Sequence, residues 1–437
     1  MYRILSSQLK KSTDRVLVLF GARQVGKTTL LKNCFPESIY INLEIGNYLE
    51  VFNSRDLKRI AQIVQLEHGR KSKIWILDEV QRLNDPGLLA KVIHDEMKNV
   101  HLIISGSSSL EIANKASESL AGRKKTLTLY PLTFAEKLIQ TKKLPQSFLK
   151  PGARHLHLHA ANRSTGSVKQ SLRQKSTDNY NLKFNTELKE AMQYGFYPKL
   201  LDLQSKIQKE EYLLELADSI IFKDVYYLNI LKNTRNLALL LKLLAYQIGQ
   251  QINITELSNR LGIARQTVVD YIEILKQTFL VFTLPPYTKK RRDEIAKTEK
   301  IYFHDIGLRN ALINDFSPVE FRTDYGSIFE NFVISEIMKL NQYYRERFSM
   351  YYWRTKWGSE VDLVLVRDEK YKAIEIKTRK SAITPAFKAT YPEAEEFIIT
   401  MDNIVSVLVP SGRPEESAKK FNVPGPRESV DVGQSLP

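Results

Sequence analysis

In the N-terminal third of the chain, apolar residues occur in short runs whose length suits β-strands. Between these runs are stretches in which apolar residues recur at helical spacing, as at 55–66. Such strongly apolar strands are typical of parallel sheets, which are covered by helices on both faces. The pattern therefore predicts an α/β fold with a parallel sheet. The predicted strands are 16–20, 38–43, 74–77, 100–105 and 126–130.

The pattern changes after residue 186, where helical periodicity dominates. The segment 210–231 is long and amphipathic, and 237–248 is apolar on almost every face, which indicates core helices. A helix then begins at Tyr325, and three strands follow it. The chain should therefore continue as a helical region and end in a small α/β domain. The strands predicted in that domain are 350–354, 360–366 and 371–377.

The first strand leads directly into G-A-R-Q-V-G-K-T, which has the P-loop pattern G-x-x-x-x-G-K-T. The strand before it and the helical opening after it are the context in which this motif binds phosphate. Glycines let backbone N–H groups face the phosphate oxygens, and the helix N-terminus adds its positive dipole end. We expect Lys27 to contact the β and γ phosphates of ATP, and Thr28 to ligate Mg²⁺. The predicted nucleotide-binding residues are Gly21, Gln24, Val25, Gly26, Lys27, Thr28 and Thr29.

A second motif follows at the end of the strand 74–77, where two acids, Asp78 and Glu79, come after four apolar residues. This is the Walker B form, in which a buried strand ends at the nucleotide. Asp78 would hold Mg²⁺ through water, and Glu79 would polarise the attacking water. A strand lies between the two motifs, which favours the ATPase branch that has an additional catalytic glutamate over a simple nucleotide kinase. The alternative is a strand that merely ends at a helix cap.

Two further residues are candidates for contact with the γ-phosphate. Ser107, or Ser105 close to it, follows the strand 100–105 and could sense this phosphate; a serine N-cap for the next helix is an equal alternative. Arg123 precedes the strand 126–130 and could act as an arginine finger in its own subunit or in a neighbour's. A solvated surface arginine is the alternative for Arg123.

These motifs together resemble the prokaryotic AAA+ ATPases that carry a C-terminal nuclease-like domain. The resemblance is carried by GARQVGKT, WILDEVQR, ISGSSSLE, the AGR at 121–123 and YPLTFAE. It covers residues 1–140, resumes after a gap with GFYP and with KIYFHDIGLR, and extends over about three quarters of the chain. It implies ATP and Mg²⁺ as cofactors.

The segment 255–275 has the spacing of a helix-turn-helix, with Gly262 at the turn. The strand-like run FLVFTL and the basic run at 289–292 would form a wing, so that the region could bind DNA. Asp270 and Glu273 are unfavourable on a DNA-reading helix. A winged helix that only packs domains together remains an equal alternative.

The last three predicted strands carry a group of charged residues. Glu375 and Lys377 are two apart and share one face of a strand, and Asp362 lies on the neighbouring strand. This is the PD-(D/E)xK nuclease arrangement, in which Glu330 on the preceding helix could be a further ligand. The carboxylates would hold Mg²⁺, and Lys377 would stabilise the charge that develops on the phosphodiester. A charged strand end that only maintains the fold is the alternative.

Composition adds the expected partners and compartment. The net charge of +16 favours polyanions, with DNA first and an anionic membrane surface second. The single cysteine fits a reducing compartment, and neither a signal peptide nor a transmembrane run is evident. We therefore expect a cytoplasmic protein without a membrane partner, which could form oligomers.

The expected organisation has five parts. The segment 141–185 is basic and poor in apolar residues, so it should be a flexible insertion. Its alternating histidines, His155, His157 and His159, have no cysteine or carboxylate near them, which favours solvated side chains over a metal site. The expected parts are an ATPase domain (1–140), the insertion (141–185), a helical and winged-helix domain (186–296), a nuclease-like domain (297–410) and a disordered tail (411–437).

Two functional hypotheses follow from these features. In the first, the protein is a Mg²⁺-dependent ATPase that acts on DNA and could cut it. In the second, it is a nucleotide switch whose inactive nuclease-like domain only binds a partner. Stimulation of ATP hydrolysis by DNA distinguishes the two, because a switch needs no nucleic acid in the assay.

Overall fold

The structure of the protein is a computed structural model that describes residues 2–11, 15–69, 72–107, 120–146, 184–220, 234–288, 298–378 and 382–409. Most of the predicted insertion, the three alternating histidines, the basic run 289–292 and the predicted tail lie outside these residues. The described chain has the predicted α/β fold. A parallel sheet near the N-terminus is followed by a helical region and a small mixed sheet.

The first sheet has five parallel strands in the spatial order β2-β3-β4-β1-β5. β4 therefore lies between the strand that leads to the P-loop, β1, and the Walker B strand, β3. The strand bounds are β1 Val16–Phe20, β2 Ile39–Asn42, β3 Ile74–Asp78, β4 His101–Gly106 and β5 Lys124–Thr128. The accompanying helices are α1 Ser6–Lys10, α2 Lys27–Cys34, α3 Gly46–Ser54, α4 Leu57–His68, α5 Pro86–Glu96 and α6 Phe134–Gln140.

Side-chain alternation along β1 divides the core between the two faces of this sheet. Val16, Val18 and Phe20 pack on one side, and Leu17 and Leu19 on the other. All five are buried, which is why the sequence of this strand is continuously apolar. The core on the Leu17 side extends into the helical region and reaches one face of the second sheet.

The helical region contains two helices joined by a short turn at Gly262, whose φ of 64° lies in the left-handed region that glycine adopts readily. A two-stranded antiparallel sheet follows, whose strands lie on either side of the domain boundary predicted at 296. The helices are α7 184–194, α8 Lys206–Ser219, α9 Thr234–Tyr246, α10 Ile254–Leu261, α11 Arg265–Gln277 and α12 Ile306–Leu312. The strands are β6 Val281–Leu284 and β7 Lys300–Phe303.

The C-terminal region is a four-stranded mixed sheet in the order β11-β10-β9-β8, with one parallel pair between β10 and β11. The long helix that precedes it is buried over most of its length. These helices are α13 Tyr325–Tyr343, α14 Pro385–Thr390 and α15 Ile404–Leu408. The strands are β8 Ser349–Arg354, β9 Glu360–Arg367, β10 Lys370–Ile376 and β11 Glu395–Ile399. In the described chain, no helix has the length and apolarity needed to cross a membrane.

Candidate functional site

The P-loop connects β1 to α2 in a conformation that depends on its glycines. A Cβ atom on Gly21 would lie 2.1 Å from the Leu129 carbonyl oxygen, so any side chain there would displace the backbone. Gly26, with φ 92°, caps α2 at the point where the helix begins. Between them, Gln24 also has a positive φ of 60°. The loop therefore brings the backbone of α2's first turn to the carboxyl edge of the sheet, where ligands bind in open α/β folds.

The predicted phosphate-binding residues all lie in this loop and in the first turn of α2. Lys27 is buried, and its Nζ donates to the carbonyl oxygens of Gly21 and Ala22 at 2.8 and 2.9 Å. Val25 is buried below the loop, whereas Gln24 and Thr29 are exposed. The Lys27 ammonium thus lies inside the loop, where it can act as a counter-charge to bound phosphate.

Asp78, at the end of β3, is the centre of a hydrogen-bonded network. Its Oδ2 accepts from Thr28 Oγ1 at 2.6 Å and from the Tyr40 hydroxyl at 2.7 Å. Its Oδ1 accepts from Ser105 Oγ and from the Glu79 N–H. These four donors come from four different segments of the chain, so the sheet must form before the network can.

Tyr40 was not predicted as a site residue. Burial, together with its hydrogen bond to Asp78, raises the pKa of the Tyr40 hydroxyl, so this group is a hydrogen-bond donor at neutral pH. The Lys32 ammonium lies 4.0 Å from the centre of the Tyr40 ring and covers one face of it. Tyr40 lies on β2 and Ser105 on β4, and these two strands flank β3. The two side chains therefore bind the Asp78 carboxylate from opposite sides.

Glu79 adopts a positive φ of 59° directly after the Walker B strand. Its Oε2 accepts a hydrogen bond from Gln81 Nε2, which also donates to Ser107 Oγ at 3.2 Å. Gln81, which the sequence did not single out, thus links the two residues predicted to act on the γ-phosphate and its attacking water. The structure also separates the two serines, because Ser105 contacts Asp78 while Ser107 contacts Gln81.

Arg123 lies at the opposite edge of the sheet from the P-loop. It directly precedes β5, whose Lys124 pairs with Val16 at the start of β1, whereas the P-loop follows the end of β1. At about 3.3 Å per strand residue the separation is roughly 16 Å. Arg123 Nε forms an ion pair with Asp95 at 3.1 Å instead. Within its own subunit Arg123 therefore lies at the end of β1 away from the P-loop, which does not favour an arginine finger in the same subunit.

The predicted C-terminal cluster comes together at one edge of the mixed sheet. Leu363 pairs with Ile374, which places Asp362 and Glu375 side by side on β9 and β10. Lys377 Nζ lies 2.8 Å from Asp362 Oδ2 and 3.1 Å from Glu375 Oε1.

Glu330 approaches the same cluster from α13 and interacts electrostatically with Asp362 and Lys377. Its Oε1 accepts from the Tyr302 hydroxyl at 2.6 Å and lies 3.3 Å from Lys300 Nζ. Lys300, whose ammonium also pairs with Glu360, was not predicted. It is buried on β7 and balances the charge of the helix glutamate.

Burial and the neighbouring Asp362 carboxylate raise the pKa of Glu375 to about 7. Its Oε2 is buried and makes no hydrogen bond. Burial opposes the charge on Lys377, but the carboxylates of Asp362 and Glu375 outweigh this and raise the pKa of its ammonium. Across the described residues, no group of three or more histidines, cysteines or acids has an arrangement that could hold a metal ion. Lysine ammonium groups pair with the carboxylates of this cluster.

The oxygen ligands beside the P-loop, in contrast, suit Mg²⁺. The Thr28 hydroxyl and the Asp78 carboxylate lie 2.6 Å apart at the N-terminus of α2. Next to a nucleotide, Mg²⁺ is usually bound by only one or two oxygen ligands from the protein. The donor set therefore fits the predicted ion.

Comparisons with known proteins give family matches for three parts of the chain. Residues 13–138 match a model described as an AAA domain. Residues 185–318 and 325–412 match two models, each described as a domain of unknown function.

Similar proteins occur in both archaea and bacteria. An uncharacterised protein of Methanocaldococcus jannaschii is 25% identical over 407 residues, which are 89% of this chain and 81% of that protein. One from Haemophilus influenzae is 23% identical over 344 residues, covering 75% and 76% of the two chains. Among solved structures, a Walker-type ATPase of Pyrococcus abyssi aligns with a TM-score of 0.39 and 14% identity, over 71% of this chain and 93% of that one.

The family match agrees with the local structure. It spans the glycine loop, the acidic end of β3 and the five parallel strands that position them. Residues 13–138 therefore resemble an AAA domain in sequence and contain a P-loop on a five-stranded parallel sheet.

Proposed function

We propose that this protein is a magnesium-dependent ATP hydrolase that binds DNA. The observation that carries the ATPase part is the hydrogen-bonded network around Asp78, which joins the P-loop hydroxyl of Thr28 to the Walker B strand. In a P-loop ATPase these are the groups that hold the metal ion next to the nucleotide phosphates.

Each residue of the site has a distinct part in this proposal. Lys27 and the N-terminus of α2 bind the β and γ phosphates. Thr28 and Asp78 would hold Mg²⁺, which when bound neutralises charge on the phosphate oxygens. Glu79 orients the attacking water and accepts its proton. Ser107, linked to Glu79 through Gln81, would report the presence of the γ-phosphate.

Two substitutions test this division of roles. Lys27→Ala should weaken ATP binding, because it removes the main counter-charge to the phosphates. Glu79→Gln should leave binding intact and lower hydrolysis roughly 10²-fold or more, the scale of a lost general base. Binding of a fluorescent nucleotide and release of phosphate would be measured in parallel.

Glu50→Gln is the matched control for Glu79→Gln, because Glu50 is an exposed acid on α3 that pairs with Arg59. It should alter neither property. Equal loss of binding in the Lys27 and Glu79 variants would contradict the proposed roles, and wild-type hydrolysis by the Lys27 variant would contradict the assignment of the loop itself.

The DNA-binding part of the proposal is supported by the net charge of +16. A groove of about 1080 Å³ lies beside α10 and α11, and its charged lining residues are Arg265, Glu256, Glu273 and Glu299. Three glutamates against one arginine do not favour contact with DNA phosphates there. We therefore assign the proposed winged helix a packing role. The basic segments 289–292 and 141–185 are the proposed phosphate contacts.

Salt dependence tests these contacts. Neutralising Lys289, Lys290, Arg291 and Arg292 together should weaken DNA binding for every sequence and reduce the salt slope, because fewer counterions are released. A control variant that neutralises four exposed residues elsewhere, Lys58, Arg59, Lys98 and Lys206, should bind DNA more nearly as the wild type does. Affinity that does not change with salt would contradict an electrostatic contact.

ATP hydrolysis measured with and without DNA distinguishes this proposal from a nucleotide switch. We expect DNA to stimulate hydrolysis, since the protein is proposed to act on it. Unchanged turnover at saturating DNA would favour the switch, in which the C-terminal region only binds a partner. We also propose that the protein is cytoplasmic. If Arg123 contacts a nucleotide, we propose that it is the nucleotide of a neighbouring subunit.

Cleavage of DNA at the C-terminal cluster is a second candidate function. The observation that favours it is the buried Glu375 Oε2, which makes no hydrogen bond. The ion pairs of Lys377 with both carboxylates favour a structural role instead. Because Lys377 pairs with both Asp362 and Glu375, we derive no cleavage step from the cluster.

Titration with Mn²⁺ distinguishes these two roles. A nuclease-like site should show saturable binding that Asp362→Ala and Glu375→Ala each remove. A structural cluster should bind no ion and should lose stability when Lys377 is truncated. DNA cleavage that persists in both the Asp362 and Lys377 variants would belong to another site or to a contaminant.

A further inference from the structure

We propose that the turn between β8 and β9 is a base-stacking contact for single-stranded nucleic acid, with Trp357 as the stacking side chain. We call residues 354–358 the Trp357 tip. The inference rests on the proposed DNA binding and adds to it a surface and a preferred form of DNA.

Trp357 is 95% exposed, whereas the other two tryptophans of the chain, Trp75 and Trp353, are 5% and 6% exposed. A tryptophan normally buries most of its large apolar surface. The exposure of Trp357 therefore calls for a partner outside the described residues, and single exposed aromatic side chains are used in this way by proteins that bind unpaired bases.

The Trp357 tip is held in a fixed conformation. The Thr355 N–H donates to the Ser359 carbonyl oxygen at 2.9 Å, and the Gly358 N–H donates to the Thr355 carbonyl oxygen at 3.2 Å. The Ser359 N–H also donates to Thr355 Oγ1 at 3.1 Å. Gly358 supplies the positive φ of 89° that closes the turn. A tryptophan presented on a fixed turn can stack with little loss of backbone entropy.

The tip stands next to the C-terminal cluster. Arg354 and Glu360 pair across the strands at its base, and Asp362 follows Glu360 by two residues, or about 7 Å along the strand. Ion pairs continue this connection, from Arg354 to Glu360, from Glu360 to Lys300, and from Lys300 to Glu330. A strand of DNA stacked on Trp357 would therefore lie beside the cluster.

The charges of the tip favour nucleic acid over a protein partner. Arg354 and Lys356, on either side of Thr355, are both exposed, and Arg354 pairs with Glu360 at the base of the tip. Cations around an aromatic ring match a base and its phosphates. A protein-binding tryptophan is more often surrounded by further contacts that exclude water. Because stacking requires a free base face, the expected ligand is a single strand rather than a duplex.

Intrinsic fluorescence tests the inference directly, since Trp357 is the exposed tryptophan of the three. Titration of the full chain with a single-stranded oligothymidine should quench the iodide-accessible emission. Trp357→Ala should remove this quenching and weaken binding roughly 5- to 100-fold, the scale of one stacked base. Trp357→Phe should retain most of the affinity, because its ring can still stack.

Leu66→Ala is the matched control, because Leu66 is an apolar residue on α4 that is 82% exposed. It should change neither quenching nor affinity. If the wild type binds oligothymidine but Trp357→Ala binds it equally well, the tip inference is overturned while the proposed DNA binding stands. If the wild type binds no nucleic acid by fluorescence anisotropy at low salt, both fail. Loss of self-association in Trp357→Ala, with unchanged DNA affinity, would assign the tip to protein contact and overturn the inference.

Discussion

Tyr40 contacts Asp78, the proposed metal ligand, from outside the P-loop. Its hydroxyl and that of Thr28 donate to the same oxygen of Asp78. Outer hydrogen bonds of this kind fix the orientation of a metal-binding carboxylate, and their loss typically costs metal affinity. Tyr40 is therefore a positioning residue in the proposed site.

We expect Tyr40→Phe to raise the Mg²⁺ concentration needed for half-maximal ATP hydrolysis roughly tenfold. Nucleotide binding measured in EDTA should not change, since Tyr40 lies outside the P-loop. Tyr48→Phe is the matched control, because its hydroxyl also donates to a carboxylate, that of Glu67, away from the P-loop. A similar Mg²⁺ shift in both variants, or none in Tyr40→Phe, would rule out the positioning role.

The raised pKa of Glu375 leads to a prediction of how the stability of the protein depends on pH. Burial raises its pKa in the folded protein to about 7, above the ordinary value of 4.5. Folding therefore favours the protonated carboxyl, and this stabilisation is present below about pH 4.5 and is lost as the pH rises through 7. The free energy of unfolding should fall across this window because of Glu375.

Urea unfolding of the wild type and of Glu375→Gln at a series of pH values measures this contribution. The difference in unfolding free energy between the two proteins should change between pH 4.5 and 7, with the variant gaining relative stability at the higher pH. Glu395→Gln, an exposed substitution on β11, serves as the control. A difference that stays constant with pH would mean that Glu375 is ionised throughout.

At the scale of elements, the P-loop depends on its fit against the segment that follows β5. A Cβ atom at Gly21 would lie 2.1 Å from the Leu129 carbonyl oxygen, and the φ of 156° is one that other residues rarely adopt. Gly21→Ala should therefore lower the free energy of unfolding by at least about 2 kcal/mol and weaken ATP binding, because the loop must move.

Gly46→Ala provides the comparison, because a Cβ at Gly46 would meet nothing within 4 Å. Thermal unfolding and nucleotide binding of this variant should be close to those of the wild type. If Gly21→Ala were equally harmless, the close approach of the loop to Leu129 would not exist in solution.

The sequence predicted those elements whose signals are local. The five apolar runs, the glycine loop and the acids after β3 could be recognised because strand period and motif spacing are properties of neighbouring residues. The same holds for Asp362, Glu375 and Lys377, whose faces follow from alternation along β9 and β10.

The residues that the sequence did not predict are brought to the sites by contacts between elements that are distant along the chain. Tyr40 reaches Asp78 because β2 pairs with β3, and Lys300 reaches Glu330 because β7 packs against α13. The place of Arg123, at the end of β1 away from the P-loop, likewise follows only from the pairing of β5 with β1. Pairing between distant strands is set by the whole fold, which local patterns do not specify.

At the scale of the molecule, α13 joins the ATPase domain to the C-terminal region. Glu336 accepts a hydrogen bond from the Phe134 N–H at 2.8 Å, and the Lys339 ammonium donates to the Leu132 carbonyl oxygen at 3.2 Å. The Tyr343 hydroxyl accepts from the Tyr130 N–H at 2.9 Å. The same helix carries Glu330 into the C-terminal cluster, so it links the segment after β5 to that cluster.

The N-terminus reinforces this connection. Arg3 is buried and donates to the carbonyl oxygens of Val25 in the P-loop, at 3.0 Å, and of Tyr130, at 2.5 Å. A second contact to the loop comes from α8, where the Tyr212 hydroxyl donates to Gln24 Oε1 at 2.7 Å. The P-loop is therefore in direct contact with both the N-terminus and the helical region.

Because one apolar core extends from the first sheet to the second, we expect ATP to stabilise the C-terminal region as well as the ATPase domain. The test uses a background that combines Glu79→Gln, which would hold ATP without rapid turnover, with Trp357→Phe, which removes the exposed tryptophan. In this background, one variant keeps only Trp75 and the other keeps only Trp353. Their fluorescence would then report the unfolding of the two regions separately in urea.

The two tryptophans should report the same urea midpoint. Mg²⁺-ATP at one hundred times its dissociation constant should raise the free energy of unfolding measured with either tryptophan by the same amount, about 2.7 kcal/mol. Adding Lys27→Ala should abolish both shifts, because the ligand then no longer binds the folded state tightly. If ATP moved only the Trp75 transition, the contacts of Glu336, Lys339 and Tyr343 would be too weak to couple the regions. Changes at the P-loop could then reach the C-terminal cluster only through a partner such as DNA.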